Sequence, residues 1–178
     1  MNSKRHTPLL IRMLLPCSLA ATALLLASCG FHLRGQATLP FTSMYISGSP
    51  VFATQLARAV RAGSKTKIVD NPKEAEVTLQ VVTEARERAI LSLSATGRVR
   101  EIQIRYRVVF RVTDKSGKEY LAANEVLLKR DLIYNDSDVL GKEQEEALLY
   151  RDMQNDAIQQ VVRRLESARL ETADKDTR

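Results

Sequence analysis

The chain has 178 residues, with 27 basic and 21 acidic side chains, a formal charge of +6, and only two histidines and two cysteines. That composition leaves catalysis little to work with, because no Cys/His spacing fits a metal and no glycine-rich phosphate loop joins a strand to a helix. Three of the basic residues and none of the acidic ones fall in the first 28 positions, leaving 24 against 21 beyond them. A mature balance of +3 points neither to a nucleic-acid partner nor to a general attraction to polyanions.

Residues 1–28 read in the order of a cleaved secretory signal: basic Lys4, Arg5 and Arg12, an apolar run ending Leu24-Leu25-Leu26, then small Ala27-Ser28. A permanent membrane span is the competing reading. Pro16 interrupts the run, which falls short of the ~20 apolar residues a span needs, and polar sequence follows it. Cys17 lies in the segment to be removed, so Cys29 is the one cysteine of the mature chain. A lone thiol in an oxidising compartment is open to unwanted pairing unless its sulfur is occupied. Leu26-Ala27-Ser28-Cys29 matches a bacterial lipobox, which predicts a diacylglyceryl thioether and an N-acyl group on Cys29. At about 0.8 kcal/mol per buried methylene, two or three chains anchor where one does not. Gly30, rather than the aspartate that retains many lipoproteins at the inner membrane, favours the outer membrane.

Residues 29–42 are expected to be the lipidated N-terminus and a tether, and residues 43–170 one domain. A short strand is predicted at Ser43 to Ser47, and Ser49-Pro50 then opens a helix with Phe52, Leu56, Ala59 and Val60 at helical spacing as far as Gly63. Lys67-Ile68-Val69 makes a brief second strand. From Glu76 to Leu91 the apolar period becomes two, through Val77, Leu79, Val81 and, less cleanly, Ala85 and Ala89. Arg98 to Thr113 alternates most cleanly, with Ile102, Ile104, Tyr106, Val108, Phe110 and Val112 on one face. Asp114 to Lys118 is a hairpin loop, and a third long strand runs from Glu119 to about Tyr134. Three strands of this length require bends or bulges. Glu143 to about Leu170 is a long amphipathic helix with Glu143, Glu145 and Glu146 suited to its N-terminus, and residues 171–178 are expected to be a disordered polar tail.

Two constellations remain. His32, the one mature histidine, sits beside the lipid site with no scaffold to hold a general base, so no enzyme is expected, and no cofactor other than the lipid on Cys29. Arg86 and Arg88 fall on the first long strand, Arg105, Arg107 and Arg111 on the second, and Lys129 and Arg130 on the third. If they share one sheet surface they build a cationic patch for phosphates; the plainer reading is a solvated face diluted by Glu84, Glu87, Glu101, Glu125 and Asp131.

The run Gly30-Phe31-His32-Leu33-Arg34-Gly35 behind the lipobox resembles the opening of the lipopolysaccharide-assembly lipoprotein family, LptE. So do the Ser-Pro helix start, Ala75-Glu76-Val77-Thr78-Leu79, Tyr106-Arg107-Val108 and Val161-Val162-Arg163-Arg164-Leu165. The resemblance implies an α+β two-layer sandwich, a four-stranded mostly antiparallel sheet with two helices on one face. It implies a domain that plugs a large outer-membrane β-barrel, LptD, on the periplasmic side. It also implies binding of lipopolysaccharide, for which Arg86, Arg88, Arg105, Arg107, Lys129 and Arg130 are the candidate residues. A generic scaffold lipoprotein of another envelope machine, without a lipopolysaccharide site, is the second function class left open.

Overall fold

The computed structural model describes residues 38–134 and 139–175. The expectations for the signal, for Cys29, for His32 and for residues 176–178 therefore lie outside the described residues. In chain order the elements are β1 (Ser43–Ser47), α1 (Pro50–Gly63), β2 (Lys67–Ile68), β3 (Val77–Leu93), β4 (Val99–Asp114), β5 (Glu119–Ile133) and α2 (Val139–Lys175).

The sheet has five strands in the order β2-β1-β3-β4-β5, one more than the four implied by the resemblance. It is mixed. Strand β1 is parallel to both β2 and β3, and β3, β4 and β5 form the antiparallel meander. The parallel portion follows from connectivity, because a strand that returns through a helix, as β1-α1-β2 does, comes back in the same direction. Ser49 stands at the N-cap position of α1 without making a side-chain cap, and Pro50 begins the helix where its missing N–H is not needed.

Both helices lie on one face of the sheet and share one core. Phe52, Leu56 and Val60 of α1, Met44 of β1, Leu79 of β3, Ile104 through Val112 of β4, and Met153, Val161 and Leu165 of α2 are buried together. The alternation seen along β4 is the reason: its even positions from Ile102 to Val112 are all buried, its odd ones only partly so. The other face of the sheet carries no helix among the described residues.

Three details fix how the ends meet. Leu39 and Phe41 are already part of the core, with Phe41 edge-on to Tyr120 at 5.5 Å, so the tether expected through residue 42 gives way to packed chain earlier. Glu76 accepts hydrogen bonds from the Thr42 amide and hydroxyl, each at 2.7 Å, tying the start of β3 to β1. These bonds, the amide's first, hold the Glu76 carboxyl below the ordinary carboxylate range. Gly48 has φ +143°, and a Cβ there would lie 2.6 Å from that of Val81, so only glycine lets the chain turn this close to β3.

The expected irregularities are present and consequential. Val81 pairs with Phe110 and Thr83 with Val109, so Val82 is an extra residue in β3, half-exposed and without a cross-strand partner. Further register shifts occur near Ile90–Leu93 and, on β5, opposite Phe110–Thr113. Helix α2 starts at Val139 and runs to Lys175, longer at both ends than the Glu143–Leu170 periodicity predicts. No proline or glycine follows Leu170 to stop it, and Glu171, Ala173 and Lys175 are good helix formers. Glu143, Glu145 and Glu146 thus fall beyond the first turn. Glu145 pairs with Lys142 at 2.8 Å and Glu146 reaches Arg88.

Candidate functional site

The register decides where each of the six candidate cations points. On β4, Arg105 and Arg107 occupy odd positions and share the open face with Glu101, Gln103, Val109 and Arg111. Lys129 lies directly opposite Arg105 on β5, so it belongs to the same face. Arg130, one residue on, pairs with Ile104 and belongs to the helix-covered face. Arg86 pairs with Tyr106 and Arg88 with Ile104, again positions of the covered face.

The single six-residue patch is therefore corrected to two groups of three. The physical cause on β3 is the extra residue Val82. Side chains alternate with period two, so one inserted residue moves everything after it to the other side. Before the bulge the odd positions Val77, Leu79 and Val81 face the helices; after it the even positions Glu84, Arg86, Arg88 and Ile90 do. On β5 the cause is simpler, since neighbours such as Lys129 and Arg130 must point to opposite faces.

On the covered face the three arginines are engaged with α2. Arg88 meets Glu146 at 3.4 Å and Arg130 meets Asp156 at 3.1 Å. The Arg86 guanidinium sits 5.2 Å from the ring centre of Tyr150 and 6.0 Å from that of Tyr106, within cation–π range. Around it, the Tyr106 hydroxyl donates to Glu84 at 2.6 Å and the Tyr150 hydroxyl donates to the Glu87 carbonyl at 2.9 Å. Burial, followed by the Glu84 carboxylate, pushes the Tyr106 phenol far above its ordinary value, so it stays protonated and remains a donor. Burial raises Tyr150 as well. These contacts hold the middle of α2 onto the meander and leave its three arginines little freedom to take a ligand.

The open face is different. Arg105 and Lys129 stand opposite each other across the β4–β5 pair, and Arg107 is two residues along β4 with Ala85 and Leu127 at its sides. Like charges directly opposite each other destabilise a sheet. None of the three forms an ion pair with a described carboxylate. Arg105 donates through Nε to the Gln103 amide oxygen at 2.9 Å, and Gln103 in turn donates to Asp131 at 3.0 Å. Arg107 Nε is buried and without a partner. Arg111, also on this face, is committed to Gln80 through two nitrogens at 2.8 and 2.9 Å. Arg105, Arg107 and Lys129 are thus a compact cationic group held on adjacent strands, Lys129 exposed and the two arginines partly buried, and although Glu87 stands opposite Arg105 on β3 it forms no ion pair with it. An anion with several oxygens, such as a phosphate, is what it can bind chemically. Among the described residues no cluster of three or more His, Cys, Asp or Glu side chains could hold a metal ion.

A family model described as LptE, lipopolysaccharide-assembly, matches residues 41–165. The LPS-assembly lipoproteins LptE of Pectobacterium atrosepticum and Photorhabdus laumondii are 29% and 27% identical over 153 residues, in each case 83% of this chain and 82% of the relative. Among solved structures, lipoprotein B from Nitrosomonas europaea superposes with a TM-score of 0.68 at 39% identity, covering 78% of this chain and 91% of that one. A minor lipoprotein from Acinetobacter baumannii shares the fold with a TM-score of 0.60 at 22% identity, over 74% of this chain and 95% of that one.

Proposed function

The chain belongs to the lipopolysaccharide-assembly family LptE, and from that premise we propose that it is an outer-membrane lipoprotein that plugs a large β-barrel of the LptD type and contacts lipopolysaccharide directly. Residues 1–28 are its cleaved signal and Cys29 carries the diacylglyceryl and N-acyl chains, holding residues 43–170 on the periplasmic side. Its role is assembly and substrate handling, not catalysis.

The observation that carries the lipopolysaccharide contact is the Arg105–Arg107–Lys129 group on an uncovered sheet face. One exposed ion pair contributes about 0–1 kcal/mol and is screened by salt, so no single cation holds a phosphate. Three on neighbouring strands act together, because the sheet has already set their spacing. The phosphorylated head of lipopolysaccharide is an anion of the right kind. Arg86, Arg88 and Arg130 leave the proposed contact and become struts of the domain.

The barrel partner is supported by family membership and by the polar character of the open face, which suits a polar lumen. Eight-stranded barrels are filled by their own side chains, so the host must be much larger. Extraction in mild detergent followed by pull-down and mass spectrometry tests the whole reading. A barrel partner at one-to-one stoichiometry and a Cys29 bearing acyl mass are expected. Recovery of intact lipoprotein without any barrel, or with an unmodified Cys29, contradicts it.

A further inference from the structure

Charge is divided unevenly along the chain. All 21 acidic residues lie beyond position 69, the first being Asp70. Residues 29–69 carry Arg34, Arg58, Arg61, Lys65 and Lys67 with no carboxylate among them, whereas residues 70–178 carry 19 basic and 21 acidic side chains. The small surplus of the mature chain therefore conceals a basic segment, where soluble surfaces ordinarily intersperse the two signs.

The fold gathers four of these cations at one edge. Helix α1 buries Phe52, Leu56, Ala57 and Val60, and Arg58 and Arg61, three residues apart and so neighbours on its surface, stand exposed on its outer side. Lys65 is exposed just past the end of the helix. Ala57 and Arg61 line a groove with Ile68 and Val69, so this side of α1 overhangs β2, the edge strand of the sheet. Lys67 lies on β2 opposite Ser43 and flanks the group at the rim. None of the four makes an ion pair with a described residue. Asp70 borders the same groove without pairing with Arg61, Glu74 accepts from Asn71, and Glu76 is taken by Thr42. The acids of α2 are remote, since α2 packs over β4 and β5, on the other side of α1 from β2. A helix dipole accounts for one cation at the end of α1, and an edge strand for one lysine; neither accounts for the set.

The group is also stitched to the point where the described chain begins. The Thr66 hydroxyl, between Lys65 and Lys67, donates to the Phe41 carbonyl at 2.9 Å, and the Lys67 amide donates to the Thr42 carbonyl at 2.9 Å. Phe41 is twelve residues past Cys29, and a chain of that length reaches at most about 40 Å. Acyl chains on Cys29 therefore keep these cations near the leaflet that holds them, whatever course the tether takes. Each Lys or Arg at an anionic bilayer surface strengthens binding roughly fivefold, and tethering makes that weak attraction intramolecular.

We propose that Arg58, Arg61 and Lys65, flanked by Lys67, form a docking surface for anionic phospholipid head groups of the leaflet in which the Cys29 chains are embedded. The surface goes beyond the function proposed above and rests on that reading only for Cys29 being the anchor. The apolar face of α1 is spent on the core, so the contact is electrostatic and peripheral, without insertion. It fixes which side of the domain faces the bilayer. Because β4 and β5 lie across the sheet from β2, the Arg105–Arg107–Lys129 group stays clear of that side and open to its own ligand.

The test has two arms. In the first, the full mature chain with Cys29→Ala, which carries no lipid of its own, is sedimented with vesicles of phosphatidylcholine alone or with one-third phosphatidylglycerol. Binding at least tenfold stronger to the anionic vesicles is expected, and it should fall away at about 0.5 M salt. Arg58→Gln, Arg61→Gln and Lys65→Gln together should weaken it about tenfold with an unchanged thermal midpoint. Arg105→Gln, Arg107→Gln and Lys129→Gln together should leave it unchanged. If the first triple does not fold, Arg58→Gln alone should still weaken binding two- to threefold. In the second arm, the native acylated lipoprotein carries a nitroxide at Ala62→Cys in nanodiscs of the same two compositions. Relaxation by a nickel chelate on the lipid head groups should increase with phosphatidylglycerol for this label and not for one at Leu127→Cys. Equal binding to both vesicles, full binding by a folded Arg58 variant, or a label at position 62 indifferent to phosphatidylglycerol overturns the surface. Capture of a protein by crosslinkers at position 58, without vesicle binding, overturns it too. Vesicle binding intact while intact mass shows an unmodified Cys29 keeps the surface and removes the anchor. An acylated Cys29 with no vesicle binding in the first arm does the reverse.

Discussion

The two faces of the β3–β4–β5 meander use the same residue type for opposite ends. On the covered face Arg86, Arg88 and Arg130 are each matched by a group of α2: a tyrosine ring, Glu146 and Asp156. On the open face Arg105, Arg107 and Lys129 have no carboxylate partner among the described residues and stand close enough to repel one another. What separates a strut from a ligand contact here is the neighbour supplied by the rest of the chain, not the arginine itself. A counter-charge from α2 consumes the cation in folding; its absence leaves the cation for something outside.

The strongest way to break this contrast is to remove the residue that creates it. Deleting Val82 restores simple alternation along β3 and turns Glu84, Arg86, Arg88 and Ile90 to the open face together. The Tyr106–Glu84 bond, the Arg86 stacking and the Arg88–Glu146 pair are all lost at once. A loss above about 4 kcal/mol is expected, in the range reserved for wholesale disruption, with the denaturation midpoint as the readout. A variant with near-normal stability would mean that β3 tolerates both registers and that the two-face assignment is not enforced.

Tyr106→Phe is the next largest. It keeps the ring under Arg86 and removes the donor to Glu84, leaving a partly buried carboxylate short of one hydrogen bond. About 1–2 kcal/mol of destabilisation is expected from chemical denaturation. A neutral outcome would show that water replaces the phenol and that the polar seam under α2 is loosely built. Arg130→Gln should cost less, at most about 1 kcal/mol, because the Arg130–Asp156 pair is half-exposed. A double-mutant cycle with Asp156→Asn gives the pair's own share.

The smallest effect concerns pH. Glu76 is held below its ordinary 4.5 by Thr42, and Asp114 below its ordinary 3.8 by the Ser116 hydroxyl and then the amides of the β4–β5 turn. Both folded values are depressed, so the stabilisation is present above the ordinary values and is lost as pH falls through the depressed ones. Thermal midpoints should be flat from neutrality to about pH 5 and decline below it. Glu76→Gln should flatten part of that decline.

Much of this was legible in the chain itself, and the rest failed for one reason. Helix α1 and strand β4 stand out because a single face of each is buried, so their periods of 3.6 and two are unbroken from Phe52 to Val60 and from Ile102 to Val112. The need for bulges follows from strand length alone. Which residue bulges does not, since Val81-Val82-Thr83 are all good strand formers and only pairing with β4 reveals the extra one. The faint Ala85 and Ala89 periodicity is the trace it left: past the bulge these small residues lie on the open face and the longer Arg86, Arg88 and Ile90 face α2. Membership of β2 in the sheet is a matter of two residues pairing with β1, too short for a periodic signal.

The central claim is that three cations serve a ligand while three serve the fold. It is tested most directly by comparing two triple variants of the full mature lipoprotein in nanodiscs: Arg105→Gln, Arg107→Gln, Lys129→Gln against Arg86→Gln, Arg88→Gln, Arg130→Gln. Lipopolysaccharide binding and thermal midpoint are measured on both. If each open-face contact is worth about 1 kcal/mol after solvent screening, the first triple should bind about 100-fold more weakly with its midpoint unchanged. The second should bind normally while melting about 3–8 °C lower. Normal binding by the first triple, or lost binding by a folded second triple, contradicts the division.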